Sequence, residues 1–528
     1  MFSIDQFQFT QRFVEELPAD PETRNYCRSV EQACYSRVQP TPVSAPELLM
    51  LVPEVAELLD LSKLPSPELT ALLAGNGAAP GMAPYAACYG GHQFGSWAGQ
   101  LGDGRAITLG EVKNRRGEVW EMQLKGAGPT PYSRRSDGRA VLRSSLRELV
   151  CSEAMFHLGV PTTRALSLVL TGDRVVRDML YDGHPEAEPG AIVCRVAPSF
   201  LRFGSYEIHA ARGDRVTLQR LVAFTIDTLF PELRSGDKLD VAGLLAEVAR
   251  RTARMIVEWM RVGFVHGVMN TDNMSILGLT IDYGPYGWID SFDPHWTPNT
   301  TDAGGRRYRF GHQPRIAHWN LLQLCRALQL LVEDTQELEA GIGVYVEEFS
   351  AGQRRMMLQK LGLDVETSEG RDDDTLVASL MEVLTGSEID MTLFYRALAE
   401  VPQTATTRDE WLPIVAPAFY AFDGLSGNEL TRLESWMDRY RQRRSRSAVP
   451  DTERRRKMNA VNPLYVPRNY LVQIVIDKVT AGDRQALSEL LEVLRHPYEE
   501  QPGKEAFAGK RPEWARNRVG CSMLSCSS

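Results

Sequence analysis

The chain has few cysteines and no long apolar run, and each shortage excludes a class of protein. Eight cysteines in 528 residues are too few for a disulfide scaffold, and none forms a CxxC pair with zinc-like spacing. No stretch approaches the roughly 18 consecutive apolar residues that span a bilayer. The N-terminus has neither a signal-peptide core nor the arginine-rich composition of a transit peptide. We therefore expect a cytoplasmic chain without a membrane partner.

Basic charge is also in short supply. The chain has 59 lysines and arginines against 68 acidic residues, for a formal net charge of -9. This balance is unlike that of a general nucleic-acid or anionic-membrane binder, so we expect no nucleic-acid partner. What the chain does have is length, because 528 residues exceed the size at which one hydrophobic core stops growing. We expect two lobes with a cleft between them and, by default, a monomer.

The order of local patterns predicts an α+β fold in four segments. Residues 1–78 are interpreted as an N-terminal extension of helices and loops, in which "SAPELLMLVPEVAELLDL" has apolar residues at helical spacing. Residues 79–205 have strand-like runs and one helix, whereas residues 206–430 are mainly helical. Residues 431–528 are predicted to be a C-terminal helical extension with a cysteine-containing tail, "CSMLSCSS".

A glycine-rich stretch, "YGGHQFGSWAGQLGDGRA", opens the β-rich segment. The runs "RAITLGEV" and "EVWEMQLK" then predict a hairpin that ends at Lys125. An apolar stripe of helical period follows between Val141 and Leu158, and Glu148 lies within it. A glycine-rich turn, a strand lysine and a helix glutamate follow one another in the same order in the small lobe of protein kinases. We therefore expect an ion pair between Lys125 and Glu148.

A second motif, "HGVMNTDN" followed by "IDYG", lies after an apolar helix. By its spacing, Asn273 matches the metal-binding asparagine of kinases and Asp282 matches the aspartate of their DFG motif. Both side chains carry oxygen donors that suit Mg²⁺ or Mn²⁺. Position 268, where kinases carry an acidic residue, is Val268, and the nearest acid is Asp272. A kinase that uses Asp272 instead and a catalytically inactive nucleotide-binding scaffold therefore both remain open.

Taken together, these motifs and the C-terminal "CSS" resemble the selenoprotein O (SelO/YdiU) family of protein adenylyltransferases over nearly the whole chain. The resemblance implies a bilobal, protein-kinase-like fold with a small β-rich N-lobe and a larger helical C-lobe. It also implies that ATP binds in a flipped orientation with Mg²⁺ or Mn²⁺. AMP, or UMP from UTP, would then pass to Ser, Thr or Tyr hydroxyls of protein substrates, with release of pyrophosphate.

The resemblance further implies a role for each matching position. Gly102, Gly104, Arg105, Asp137 and Gly138 would line the nucleotide; Lys125 and Glu148 would form the ion pair; Arg195 and Arg202 would hold the terminal phosphate; Asp272 would accept the proton; Asn273 and Asp282 would bind the metal, with Asp282 also contacting the nucleotide. The local residues agree with a polyphosphate site, because the chain has more arginines near these motifs than a kinase lysine alone would require.

Cys526 stands third from the C-terminus, where selenium-containing members of the family carry selenocysteine. The resemblance implies that a disulfide of this tail cysteine holds bacterial relatives inactive. Cys521 lies five positions earlier, and the spacing leaves the partner of Cys526 open. We therefore expect redox-regulated activity, which equal activity of the oxidised and reduced enzyme would contradict.

Overall fold

The computed structural model describes residues 7–179, 182–365 and 370–525. It combines a large antiparallel sheet with many helices, which confirms the mixed α and β composition expected from the sequence. Within the described ranges, no helix is both long enough and apolar enough to cross a membrane.

The strands and helices have the following bounds. The strands are β1 Phe9–Thr10, β2 Tyr35–Arg37, β3 Glu47–Leu51, β4 Tyr85–Ala87, β5 Gly90–Gln93, β6 Ser96–Gln100, β7 Ala106–Lys113, β8 Val119–Lys125, β9 Ala140–Val141, β10 Arg164–Arg177, β11 Glu186–Ala197, β12 Arg234–Ser235, β13 Lys238–Leu239, β14 Phe264–Val265 and β15 Gly287–Trp288. The helices are α1 Arg12–Glu16, α2 Pro53–Leu58, α3 Pro67–Leu73, α4 Leu142–His157, α5 Phe203–Ala211, α6 Arg215–Leu229, α7 Val241–Val262, α8 Gln313–Leu328, α9 Gln336–Lys360, α10 Arg371–Gly386, α11 Met391–Glu400, α12 Arg408–Val415, α13 Gly427–Arg444, α14 Asp451–Asn459, α15 Asn469–Thr480 and α16 Gln485–Arg495.

The main sheet has the strand order β2-β4-β7-β8-β11-β10-β3, with β1 paired to β7 and β9 paired to β11. Every neighbouring pair is antiparallel. Strands β7 and β8 form the predicted hairpin, and Lys125 is the last residue of β8. This places Lys125 in the middle of the sheet, where the neighbouring strands on both sides fix its backbone.

Three strands of this sheet come from the first 78 residues, so the interpretation of that segment as helices and loops alone is wrong. Residues Glu47–Leu51 lie within the run predicted to be helical, but they form strand β3 and pair with β10. Pairing with a neighbouring strand and burial against it outweigh a weak local helical spacing. Only Pro53–Leu58 of that run is helical.

Helix α4 carries Glu148 and is buried on almost every face. It packs against β10 and β11 on one side and against α15 and α16, which return from the C-terminal segment, on the other. Leu146, Val472 and Leu487 belong to the same apolar core as the sheet. Because both sides of α4 are packed, the position of Glu148 relative to the sheet is firmly set.

Helix α7 packs in a second apolar core. The helix is capped by Gly263, whose φ of 79° is the left-handed conformation common at helix C-termini. Strands β14 and β15 then pair with each other and hold the two ends of the loop 266–286, which carries the second sequence motif. The same loop is attached to the start of α5, because Phe203 N donates to the carbonyl oxygen of Met274 at 2.9 Å. The loop therefore lies against the segment that leaves the main sheet.

Candidate active site

A cavity of about 450 Å³ separates the main sheet from the loop 266–286. Its lining includes five basic residues, namely Arg105, Lys125, Arg134, Arg177 and Arg195, and three acidic residues, namely Asp103, Asp272 and Asp282. Gly102, Gly104, Val268 and Asn273 also line it. The structure thus brings residues that are up to 180 positions apart in the chain into one cleft, with an excess of positive charge that suits a polyphosphate.

The ion pair predicted from the sequence is present in this cavity. Lys125 Nζ donates to Glu148 Oε2 at 2.5 Å, and Arg195 Nη1 donates to Glu148 Oε1 at 3.0 Å. Burial lowers the pKa of Lys125, and the neighbouring Glu148 carboxylate offsets this only in part. Glu148 therefore orients two cations at once, and both of them line the cavity.

Asp282 is held by two buried arginines. Its Oδ1 accepts a hydrogen bond from Arg195 Nη1, and its Oδ2 accepts one from Arg202 Nη1. Burial acts to raise the pKa of Asp282, but Arg202, Arg195 and Lys125 together hold it well below its usual range. The backbone φ of Asp282 is 56°, a left-handed conformation that costs energy for a residue with a side chain and is often found at functional sites. Asp282 is therefore a charged carboxylate fixed in a strained turn.

Arg202 lies behind the residues that line the cavity, and its side chain is 2% exposed. Besides Asp282 it contacts the backbone carbonyl of Asp272, to which Nη1 donates at 2.7 Å, and its guanidinium lies 4.4 Å from the ring centre of Tyr89. Arg202 Nη2 is 3.9 Å from Asp103 Oδ1. Arg202 thus positions the two aspartates of the loop, and its expected contact with a terminal phosphate stays a prediction.

Asp272 has the properties of a proton acceptor. Burial raises its pKa to about 7, and the hydrogen bond from Gln93 Nε2 to Asp272 Oδ2, 3.2 Å long, acts in the opposite direction. Asp272 Oδ1 is buried and has no hydrogen-bond partner among the described residues. A carboxyl group whose pKa lies near neutral pH can take up a proton during the reaction and release it afterwards.

The residues predicted to bind a metal fit a hard divalent cation. Asn273 Nδ2 donates to the carbonyl oxygen of Val268 at 2.9 Å, which leaves Asn273 Oδ1 as the atom that a cation would use. Asn273 and Asp282 line the cavity together with Asp272, whose Oδ1 lacks a partner within the described ranges. These ranges contain no group of three or more His, Cys, Asp or Glu residues arranged to hold a metal. Mg²⁺ needs no such cluster, since it binds through one or two carboxylates, water and phosphate oxygens.

The glycines of the cleft allow close approach of backbone segments. A Cβ atom on Gly102, whose φ is 82°, would lie 2.3 Å from Tyr132 Cγ, and one on Gly104 would lie 2.9 Å from the Tyr132 carbonyl oxygen. Gly138 is crowded in the same way, because a Cβ there would lie 2.2 Å from Gly128 O. The nucleotide contacts expected of these glycines stay predictions, and Gly138 is not among the cavity-lining residues.

Comparison with known proteins identifies the family. The family profile described as "Protein adenylyltransferase SelO" matches residues 21–495. The chain belongs to the SelO family. It is 60% identical over 523 residues to a protein of Aromatoleum aromaticum named "Protein nucleotidyltransferase YdiU", a match that covers 98% of each chain. Relatives of the same name come from Rhodopirellula baltica, at 59% identity over 98% of this chain and 99% of the relative, and from Azoarcus sp. strain BH72, at 58% identity over 98% and 99%.

This result confirms the family that the sequence motifs predicted. It also confirms that this SelO-family chain is an enzyme of the nucleotidyltransferase class. The kinase and inactive-scaffold alternatives therefore lose support, although the group that is transferred and the acceptor are separate questions.

Asp137, which was expected to line the nucleotide, lies beside the cavity rather than in its wall. Asp137 accepts hydrogen bonds from Arg177 Nη1 and Nη2 at 2.8 and 2.7 Å, and Arg177 lines the cavity. Asp137 therefore holds a cavity cation in place. Cys526, the predicted redox residue, lies outside the described residues. Cys521 is buried in the structure, and burial raises the pKa of its thiol to about 11.

Among the polar residues that sequence reasoning missed are Asp103, which lines the cavity, and Gln123, which contacts the lining residues Arg195 and Asp103. Gln123 Oε1 accepts a hydrogen bond from Arg195 Nη2, and Gln123 Nε2 donates to Asp103 Oδ2 at 3.3 Å. A signal for each was present in the sequence. Gln123 lies two positions before Lys125 in one strand and so shares its face of the sheet, and Asp103 stands between Gly102 and Gly104.

The crowding at Gly102 leads to a prediction about stability, for which a second glycine, Gly99, provides the control variant. Gly102→Ala should destabilise the protein by about 2–5 kcal/mol, because the left-handed backbone and the contact with Tyr132 both oppose a Cβ atom. Gly99 has a similar φ of 74° but nothing within 4 Å of its Cβ position, so Gly99→Ala should cost only about 1–2 kcal/mol. Urea unfolding of both variants measures the difference. Equal destabilisation would show that Tyr132 does not restrict position 102.

Proposed function

We propose that this chain transfers AMP, or UMP, from a metal-bound nucleoside triphosphate to Ser, Thr or Tyr hydroxyls of client proteins and releases pyrophosphate. The observation that carries the proposal is the combination, in one cavity, of a wall of basic side chains with Asp272, a carboxyl group whose pKa is about 7. The first feature suits a triphosphate, and the second suits a hydroxyl that must lose its proton.

The basic side chains are pre-organised for a charged substrate. Lys125 and Arg195 are held by Glu148, and Arg177 is held by Asp137. Cations that are already fixed in place lose little freedom when they meet phosphate oxygens, so more of their interaction energy is available to stabilise the transition state. Asn273 and Asp282 would hold Mg²⁺ or Mn²⁺, which when bound would neutralise charge on the phosphate oxygens.

The proposed chemistry is one displacement at phosphorus. The hydroxyl oxygen of the client forms a bond to the α-phosphorus, and the bond from that phosphorus to the oxygen bridging the α- and β-phosphates breaks. The hydroxyl proton moves to Asp272, and the electron pair of the broken bond leaves with pyrophosphate. Asp272 returns its proton to water after product release, which a pKa of about 7 permits near neutral pH.

The proposal includes a kinase-like, bilobal arrangement. It is supported by the place of the cavity, because Lys125 reaches it from the sheet and Asp282 reaches it from the loop of the second apolar core. Val268 stands where kinases carry a carboxylate, which argues against an ordinary kinase reaction. The proposed redox regulation concerns Cys526, which lies outside the described residues.

ATP labelled at either the α- or the γ-phosphate tests the proposal, because the two labels have different fates. Incubation of the protein with ATP labelled at the α-phosphate should place the label covalently on protein, whereas the label at the γ-phosphate should leave with pyrophosphate. Lys125→Met should remove this transfer because the triphosphate loses an oriented cation. Lys113→Met, at an exposed position of the neighbouring strand, is the matched control and should retain it. Covalent label from the γ-phosphate alone would instead indicate a kinase, and no label from either would contradict the proposed activity.

A further inference from the structure

The hairpin formed by β5 and β6 lies directly over the loop that carries Asp272. Three hydrogen bonds join them: His92 N donates to Thr271 Oγ1 at 2.7 Å, Gln93 Nε2 to Asp272 Oδ2 at 3.2 Å, and Phe94 N to Asn270 Oδ1 at 3.2 Å. The approach is so close that a Cβ atom on Gly91 would lie 2.8 Å from Asp272 Oδ1. Part of the glycine-rich stretch therefore contacts Asp272, the proposed proton acceptor, and these contacts fix the hairpin relative to Asp272.

The hairpin exposes two aromatic side chains, of which Phe94 also lines the cavity. Phe94 and Trp97 are each 40% exposed. Phe94 has a φ of 52°, a conformation that glycine adopts without strain and that a residue with a bulky side chain rarely adopts. Its ring contacts that of Tyr308, with the ring centres 5.3 Å apart, and it lines the rim of the cavity, so a strained phenylalanine stays partly exposed beside the cleft. Such a residue is typical of a binding surface.

An arginine-rich loop borders the tip of the hairpin. A Cβ atom on Gly95 would lie 3.3 Å from Arg307 Cζ, and the Arg307 guanidinium lies 4.7 Å from the ring centre of Trp319. Arg306 is exposed. Within the described ranges, neither arginine forms an ion pair with a carboxylate, although the chain as a whole has a net charge of -9. Arg307 therefore places positive charge at the tip of the hairpin, offset in part by Asp302 of the same loop, and the exposed Arg306 precedes it in the chain.

The hairpin also has an edge that an extended chain could pair with. Among the described strands, β6 pairs with β5 and with no other, and Ser96, Trp97 and Ala98 are exposed. An exposed strand edge offers backbone hydrogen-bonding groups to a peptide, and nearby pockets or charges select its side chains. The hairpin therefore suits an extended partner better than a folded one.

We propose that Phe94, Trp97, Arg306 and Arg307, here called the hairpin face, dock an extended acidic segment of the client protein. Aromatic residues and arginine dominate the energy of protein interfaces, and the charge of this face is complementary to glutamate and aspartate. The fixed link between the hairpin and Asp272 would present a hydroxyl of the docked segment to the proton acceptor. The role of this segment as acceptor rests on the proposed function, whereas the docking itself does not.

Binding of a synthetic peptide tests the docking without any chemistry. The probe is a fluorescein-labelled peptide with one serine among glutamates, compared with the same peptide carrying lysine in place of each glutamate. Fluorescence anisotropy should show tighter binding of the acidic peptide to the full-length protein. Arg306→Glu and Trp97→Ala should each raise its Kd by about tenfold or more. The exposed residues Arg439 and Trp514 provide matched controls, because Arg439→Glu and Trp514→Ala should leave the Kd unchanged.

Two further results would overturn or support the docking. Equal affinity for the acidic and basic peptides, or equal loss of affinity in the control variants, would overturn it. Phe94→Gly removes the ring while keeping a backbone that glycine tolerates, so it should fold normally and still weaken binding. A normally folded Phe94→Gly protein that binds the acidic peptide like the wild type would also overturn the docking.

Transfer to the same peptide separates this inference from the proposed function. With ATP labelled at the α-phosphate, Arg306→Glu should raise the KM for the peptide about tenfold and leave kcat nearly unchanged. Transfer with an unchanged KM would overturn the docking and leave the proposed function standing. Tight, Arg306-dependent binding without any transfer would support the docking and contradict the proposed function.

Discussion

Asp282→Asn should reduce nucleotidyl transfer by about a thousandfold or more. The charged carboxylate is expected to hold the metal ion, and the uncharged amide removes both that charge and the hydrogen-bond acceptor for one arginine. Single-turnover transfer from ATP labelled at the α-phosphate measures the loss. Asp423→Asn, at an exposed position far along the chain, is the control for a carboxylate-to-amide change and should have no effect.

The same substitution should weaken the fold, which requires a separate measurement. Arg195 and Arg202 are 3% and 2% exposed, so removal of their shared carboxylate leaves two buried cations with less compensation. We expect a destabilisation of about 3–5 kcal/mol, measured by urea unfolding. Activity is therefore compared at a temperature where the variant is folded. Full activity of a folded Asp282→Asn enzyme would contradict the assignment of this residue to the active site.

Asp272→Asn should reduce kcat by about 10²–10⁴-fold, because the amide cannot accept the hydroxyl proton. The wild-type enzyme should gain activity as the pH rises through about 7, since burial raises the pKa of Asp272 to about 7 and the ionised form is the base. The variant should lack this rise. A pH profile of kcat/KM over this range, measured for both proteins, provides the comparison.

Stability distinguishes a lost base from a damaged fold at this position. The pKa of Asp272 is higher in the folded protein than in the unfolded chain, so the folded state binds this proton more tightly. The resulting stabilisation is fully present below the ordinary pKa of an aspartate and is lost as the pH rises through about 7. Above that pH, Asp272→Asn should be at least as stable as the wild type. An inactive variant that is also much less stable there would not support a role as base.

The hairpin of β7 and β8 and the helix α4 were predictable because local patterns specify them. The apolar alternation in the two strands and the helical stripe from Val141 to Leu158 each depend on residues close together in sequence. The pairing of Lys125 with Glu148 followed from the order of these elements. Strand β3 was not predictable in this way, since its partner β10 lies more than a hundred residues later.

The residues around Asp282 show the limit of the same reasoning. The resemblance implied that Arg195 and Arg202 hold a phosphate, which stays a prediction, but nothing in the sequence indicated their contacts with Asp282. In the folded chain both bind Asp282, and Arg202 is buried behind the cavity wall. A sequence pattern reports which residues a site contains, whereas the partner of a buried charge depends on which groups the fold leaves within reach.

The amino-acid sequence by itself determined the family, the nucleotidyltransferase class and the set of charged residues near the reaction, because long motifs carry that information. Only the tertiary structure decided which contacts each of these residues makes. It placed the hairpin of β5 and β6 over Asp272, while Gly102, Gly104 and Arg105, the residues expected to contact the nucleotide, line the cavity. The physical reason is that contacts between distant parts of the chain decide which side chains are buried. They bury Asp272, which raises its pKa, and they leave Phe94 and Trp97 partly exposed.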